Sequence, residues 1–283
     1  MAAPEEKIIA LKQIAKQIRK DDVTMIAKAG SGHPGGSLSL VEILVTLFFG
    51  GFLRHDPKNP DYPDRDRLIL SKGHGCPALY AALAHRGYFP REMLWTLRKL
   101  GSQLQGHPHR DPKHGLPGIE TSSGSLGQGL SIANGMALAA RLDKKSYRIY
   151  CITGDGEIEE GQIWEAAMTA SHYKLDNLCA VVDANGVQQN GPVAMIKTLE
   201  PMASRWESFG WHAIELDGHR FSELFRGFEE AKNTKGKPTV LIARTVKGKG
   251  VSFMEGRSDW HGKAPNEEQL AQALREIEAG DIG

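Results

Sequence analysis

The chain has 283 residues, 40% hydrophobic and 24% charged, which is enough apolar material for one large α/β domain or two small ones. Thirty-five basic side chains against thirty-four acidic ones leave a formal net charge of +1, so neither nucleic acid nor an anionic membrane is demanded as a partner. Cys76, Cys151 and Cys179 are far apart and form no CxxC pair, which argues against a disulfide framework and points to a reducing, cytoplasmic compartment.

The opening stretch MAAPEEKIIALKQIAKQIRKD mixes charges with apolar residues at helical spacing. It lacks an uninterrupted apolar run and so reads as neither a secretory signal nor a membrane span. Residues 5–29 predict one or two amphipathic helices with a stripe of Ile8, Leu11, Ile14, Ala15 and Ile18. The turn GSGHPGGS (30–37) breaks that pattern, and Ser37 or Ser39 is placed to cap the apolar helix LSLVEILVTLFFG. Residues 54–66 form a charged, proline-rich loop. RLILSKGHGC begins as a strand, and PALYAALAHRG continues as a helix closed by Gly87. Residues 101–124 carry three prolines, five glycines and three histidines with no periodicity, a long ordered loop of the kind that tends to be functional. SLGQGLSIANGMALAARL (125–142) is a helix rich in small residues.

YRIYCIT, NLCAVVD, WHAIELDG (211–218) and PTVLIARTVKGKG (238–250) follow as strands. GQIWEAAMTASHY and FSELFRGFEEAKN (221–233) are helices, and residues 266–280 form a surface helix. Strands alternating with helices imply an α/β fold with a mostly parallel, twisted sheet and helices on both faces. The whole chain, 1–283, reads as a single domain.

Asp155, between two glycines, follows one strand, and Asn185, also before a glycine, follows the next. Parallel neighbours lie about 4.8 Å apart, and the carboxyl edge of such a sheet is where open α/β folds bind ligands. Carboxylate and carboxamide oxygens suit Mg²⁺ or Ca²⁺, with phosphate oxygens completing the shell. Gly154 and Gly156 let backbone approach a phosphate, the N-terminus of the following helix favours the anion, and Gly186 permits a turn that aims the Val187 carbonyl at a metal. An isolated Asp-Gly or Asn-Gly is an ordinary turn pair; the strand–helix–strand spacing is what sets this one apart. An EF-hand does not fit, because the acidic residue at +2 from Asp155 is not joined by a Glu at +11.

The segment from GDG to Asn185 resembles the thiamine-diphosphate motif. GSGHPGGSLSLVEIL, LILSKGHGCPALYAAL, GSQLQGHP, LPGIETSSGSLGQGLSIANGMALA and KGKGVSFMEGRSDWHGKAP resemble transketolase, in that order and over nearly the whole chain. The resemblance implies a thiamine-diphosphate-binding domain of the diphosphate type. It implies Mg²⁺, replaceable by Ca²⁺ or Mn²⁺, on Asp155, Asn185 and the Val187 carbonyl, with Gly156 touching the diphosphate. Ala184 stands where the motif often has a second Asn. Ser125 stands where many transketolases have Pro, while the flanking Gly124 and Leu126, which face the cofactor's pyrimidine side, are kept.

Four of the eleven histidines lie in turns marked by glycine or proline: His33, His74, His107 and His261. A zinc site built from His107, His109 and His114 is the rival reading, but neither HExxH nor Cys/His spacing supports it. By resemblance the four line the channel above the thiazolium and bond sugar hydroxyls, His74 and His261 also serving the cofactor. A group titrating near neutral pH suits the proton movements of carbon–carbon cleavage. His109, His114, His172, His212 and His219 read as surface or structural, and Lys247 and Lys249 read as phosphate helpers or a solvated loop. Glu160 and Glu165 match glutamates at the family's dimer interface, where they couple two active sites.

No segment resembles the family's second, pyrimidine-binding domain, whose Glu activates the cofactor. The resemblance therefore implies the N-terminal subunit of a split transketolase, active only with a separate C-terminal subunit in an α2β2 heterotetramer. It would transfer a two-carbon ketol unit from a ketose or its phosphate to an aldose or its phosphate. The alternatives are a relative such as 1-deoxyxylulose-5-phosphate synthase and a non-catalytic regulatory subunit.

Overall fold

The computed structural model describes residues 4–280; the outer three residues at each end of the expected 1–283 domain, among them the first of the N-terminal stretch, lie outside the described residues. In chain order the elements begin α1 (Glu5–Ala29), α2 (Pro34–Leu38), α3 (Val41–Gly50), β1 (Arg67–Leu70), α4 (Cys76–Arg86), α5 (Gly129–Leu142), β2 (Ile149–Gly154), α6 (Gly161–His172) and β3 (Leu178–Ala184). They continue β4 (Val187–Gln188), β5 (Gly191–Pro192), α7 (Val193–Ile196), α8 (Met202–Ser208), β6 (His212–Asp217), α9 (Phe221–Asn233), β7 (Thr239–Arg244) and α10 (Glu267–Ala279).

Five strands make one parallel sheet in the order β1-β2-β3-β7-β6, and β4 and β5 pair as a short antiparallel hairpin. The central strands are near-continuous apolar runs because both of their faces are covered. Alternate side chains point to opposite faces. Tyr150, Ile152, Cys179, Val181, Leu241 and Ala243 enter one core with α1, α3, α4 and α9. Ile149, Cys151, Ala180, Val182, Val240 and Ile242 enter another with α5, α6 and α8. The expected parallel sheet with helices on both faces is the one observed.

Local details differ from the sequence reading. Residues 5–29 form one helix, ended by Gly30 in the left-handed region. Neither Ser37 nor Ser39 caps α3, whose N-cap position is Leu40. Residues 34–38 wind into α2 instead, which turns the Ser37 hydroxyl to Asp22 and the Ser39 hydroxyl to Asp183 at 2.6 Å. The helix placed at 125–142 starts only at Gly129. Gly87 does close α4, at φ +86°. The hairpin and the two short helices α7 and α8 are new, being too short to show periodicity. Residues 101–124 have neither α-helix nor strand, as the long loop implied. The tail helix carries a capping box, with Asn266 Oδ1 accepting the Gln269 amide and Gln269 Oε1 accepting the Asn266 amide. Its Ala273 and Ile277 are buried beside Val23 and Trp260, so one face of that helix is docked.

Candidate functional site

Register brings the site together. Gly154 pairs with Asp183, so β2 and β3 deliver Asp155 and Asn185 side by side at the carboxyl edge. Asp155 Oδ1 accepts the Gly156 amide at 2.8 Å, and its Oδ2 accepts the Gly186 amide at 2.6 Å. Gly186 sits at φ +78°, which a side chain would resist, and that bend brings the Val187 carbonyl onto the same cavity. The Lys247 ammonium donates to this carbonyl at 3.0 Å and approaches His261 Nδ1 at 3.0 Å. Asn185 Oδ1 accepts the Val187 amide at 3.1 Å, while its Nδ2 donates to Asp183 Oδ2 at 3.1 Å. The helix read at GQIWEAAMTASHY begins at Gly161 as expected, and residues 156–159 form a single tight 3₁₀ turn between it and Asp155.

The charges explain what this cavity wants. Burial, with Asp183 adding to it, lifts the Asp155 carboxyl to about 6. Burial, with Lys72 adding to it, brings the Lys247 ammonium down to about 8. Asp183 is different. Burial works to raise its carboxyl, but the Lys72 ammonium at 2.5 Å and the hydroxyls of Ser39 and Thr245 outweigh it and hold the carboxyl below its ordinary value. A carboxylate, a carboxamide oxygen and a carbonyl are hard donors, and a divalent cation would relieve the cost of keeping Asp155 charged. The donor set therefore fits the metal, and the two buried lysines fit an anion beside it. Room alone does not mark this place: a cavity of about 420 Å³ at the amino ends of β1 and β2, lined by Phe52, Arg54, Asp66 and Arg148, carries none of the motif residues.

His74 and His261 line the same cavity, and His33 and His107 cluster against them. His33 lies 5.4 Å, ring to ring, from both His74 and His261, His74 lies 5.1 Å from His261, and His107 stands 6.3 Å from His33. The glycine turn is pressed against them: a Cβ on Gly36 would meet His74 Nε2 at 3.1 Å, and one on Gly35 would meet the Trp260 carbonyl at 2.9 Å. The expectation that these rings titrate near neutral pH is overturned. Burial first, and then the cations of Arg98, Lys72 and Lys247, depress them: His33 to about 4, His261 to about 3, His74 far down, and His107 in the same direction. At neutral pH they are uncharged imidazoles, each with one donor and one acceptor nitrogen.

Other expected residues fall as follows. Leu126 lines the cavity, and Gly124 backs onto His107, whereas Ser125 is exposed. Glu160 lines the cavity rim, while Glu165 lies on the outer face of α6. Among the described residues no three His, Cys, Asp or Glu side chains converge to hold a metal, so His107, His109 and His114 do not form the zinc cluster. His219, read as structural, donates from Nδ1 to Glu42 at 2.9 Å. Lys72, Asp183, Glu157 and Arg98 belong to the neighbourhood but went unread; Arg98 Nη2 reaches to 3.5 Å from His33 Nδ1. Lys72 lies within the quoted LILSKGHGC stretch and Asp183 ends the quoted strand NLCAVVD, the one signal that pointed to them.

Residues 10–279 match the family described as transketolase, thiamine diphosphate binding domain. The 6-deoxy-6-sulfo-D-fructose transketolase subunit SqwG of Clostridium sp. (strain MSTE9) is 48% identical over 96% of this chain and 98% of its own length. An apulose-4-phosphate transketolase subunit of Phocaeicola vulgatus is 44% identical over 92% of this chain and 90% of its own length. The crystal structure of transketolase from Campylobacter jejuni superposes with a TM-score of 0.88 at 35% identity, over 96% of this chain but only 43% of that enzyme.

Proposed function

The chain belongs to the transketolase family, and from that premise we propose that it is the diphosphate-holding subunit of a cytoplasmic thiamine-diphosphate- and Mg²⁺-dependent ketol transferase. It acts as one cofactor-binding domain and works with a separate subunit that binds the cofactor's pyrimidine, two copies of each making the enzyme. It moves a two-carbon unit from a ketose or ketose phosphate to an aldose or aldose phosphate. Names of similar proteins support the division into subunits and widen the sugar class to 6-deoxy-6-sulfo-D-fructose and apulose 4-phosphate.

In this reading Asp155, Asn185 and the Val187 carbonyl hold the metal, and Lys72, Lys247, Gly156 and His74 hold the diphosphate. When bound, thiamine diphosphate supplies the electron sink for cleaving the bond next to a ketose carbonyl. The neutral rings of His33, His107 and His261 orient sugar hydroxyls, donating from one nitrogen and accepting at the other. Their depressed basicity keeps them uncharged at neutral pH, so that they act as hydrogen-bonding groups toward the sugar. Glu160 and Glu165 belong to the contact between subunits. The observation that carries the proposal is one cavity shared by a destabilised carboxylate, two buried lysines and converging neutral imidazoles.

The test uses the chain assembled with its pyrimidine-binding partner. Thiamine diphosphate with Mg²⁺ is expected to raise the Tm, and Asp155→Ala to abolish that rise while lowering ketol transfer by on the order of 10³-fold. The chain alone is expected to be inactive. Turnover by the chain alone, or a full Tm rise in Asp155→Ala, refutes the reading.

A further inference from the structure

Glu157 is only 2% exposed, yet both of its carboxylate oxygens are engaged. Oε1 accepts the Ser71 hydroxyl and, at 2.9 Å, the Gly127 amide; Oε2 accepts the Gly154 amide at 3.0 Å. Ser71 Oγ accepts the Gly129 amide at 3.1 Å. These donors come from three separate segments: the end of β1 just before Lys72, the loop 124–128 leading into α5, and the end of β2 just before Asp155. The segments touch at backbone distance. A Cβ on Gly129 would lie 2.3 Å from Ser71 Oγ, and one on Gly127 would lie 2.9 Å from Glu160 Cβ. Simple packing needs no buried acid, which costs stability unless it is fully bonded.

We propose that Glu157 is a positioning residue that ties the loop 124–128, through the Gly127 amide, to the metal-holding loop 154–156, so that loading the diphosphate end orders the loop at the cofactor's ring end. This rests on the cofactor reading above. A carboxylate suits the task because three donors converge on two acceptor oxygens. A carboxamide of the same shape would set an NH₂ against one of them.

Segment-resolved hydrogen exchange on the assembled enzyme tests the tie. In the unaltered enzyme, Mg²⁺ with thiamine diphosphate is expected to slow exchange by about tenfold or more in both 124–130 and 154–157. In Glu157→Gln the slowing persists at 154–157 and is largely lost at 124–130; Ser71→Ala, which keeps the carboxylate, shows a smaller selective loss. Equal slowing at both segments in Glu157→Gln overturns the proposal, as does equal loss at both. If Glu157→Gln does not assemble, Ser71→Ala decides on the same readout, an unselective response ruling the tie out. No slowing at either segment in the unaltered enzyme refutes the cofactor reading itself, and the tie with it.

Discussion

Arg19, Glu42 and His219 form one buried cluster, and Asp155 and Lys247 with their neighbours form another, yet equal withdrawal from water has opposite consequences in the two. In the first, Arg19 forks onto both Glu42 oxygens at 2.5 and 2.7 Å. His219 donates to Glu42 from Nδ1, and the Val246 amide fixes that tautomer by donating to Nε2 at 2.9 Å. Burial works to raise the Glu42 carboxyl, but Arg19 and His219 win and hold it at about 2. In the second, Asp155 and Lys247 have no direct charge partner among the described residues, and burial moves each toward its neutral form. Burial pushes both carboxyls the same way; what separates the two clusters is whether facing charges outweigh it. A matched cluster keeps its charges and stabilises the fold, while an unmatched one is primed for a charged ligand.

The contrast breaks most visibly at Glu42. Glu42→Ala strands the Arg19 guanidinium and is expected to cost about 3–5 kcal/mol, read from urea unfolding with or without cofactor. A cost under about 1 kcal/mol would remove Glu42 from the matched class.

Acid probes the same pair more gently. The Glu42 carboxyl lies at about 2 folded against an ordinary 4.5, so as pH falls the unfolded chain takes the proton first. The contribution is whole above about 4.5, fades between there and about 2, and amounts to at most about 3 kcal/mol. Tm followed against pH should fall more steeply for the unaltered chain than for Glu42→Gln over that window; parallel curves would contradict the assignment.

The smallest effect belongs to the unmatched side. Lys247→Met is expected to weaken binding of Mg²⁺ with thiamine diphosphate by about tenfold, or about 1.4 kcal/mol, in titration calorimetry on the assembled enzyme. The unliganded Tm should hold or rise, because an unpaired buried cation is removed. A lowered unliganded Tm would instead make Lys247 structural, as Arg19 is.

How much of this was legible varies by kind of feature. The sheet was read from apolar runs of strand length alternating with helical stripes, because burial on both faces writes that period into neighbouring residues. The hairpin and short helices around residues 187–208 were not, since two to seven residues hold less than the pattern needs. The GDG and its distant Asn, and histidines flagged by glycine or proline turns, were visible because sharp turns demand particular residue types. Nothing local announced that Asp183 would pair with Lys72, or that Ser37 and Ser39 would face carboxylates rather than cap a helix.

The amino-acid order by itself determined the α/β layering, the strand ends and the residue types waiting there, because periodicity and turn chemistry act over a few neighbouring residues. Only the tertiary structure decided which buried charges are matched, that the four clustered histidines are neutral, and that Glu157 bridges three segments. Those properties depend on distances and desolvation between residues tens to hundreds of positions apart, and such quantities exist only once the chain has closed on itself.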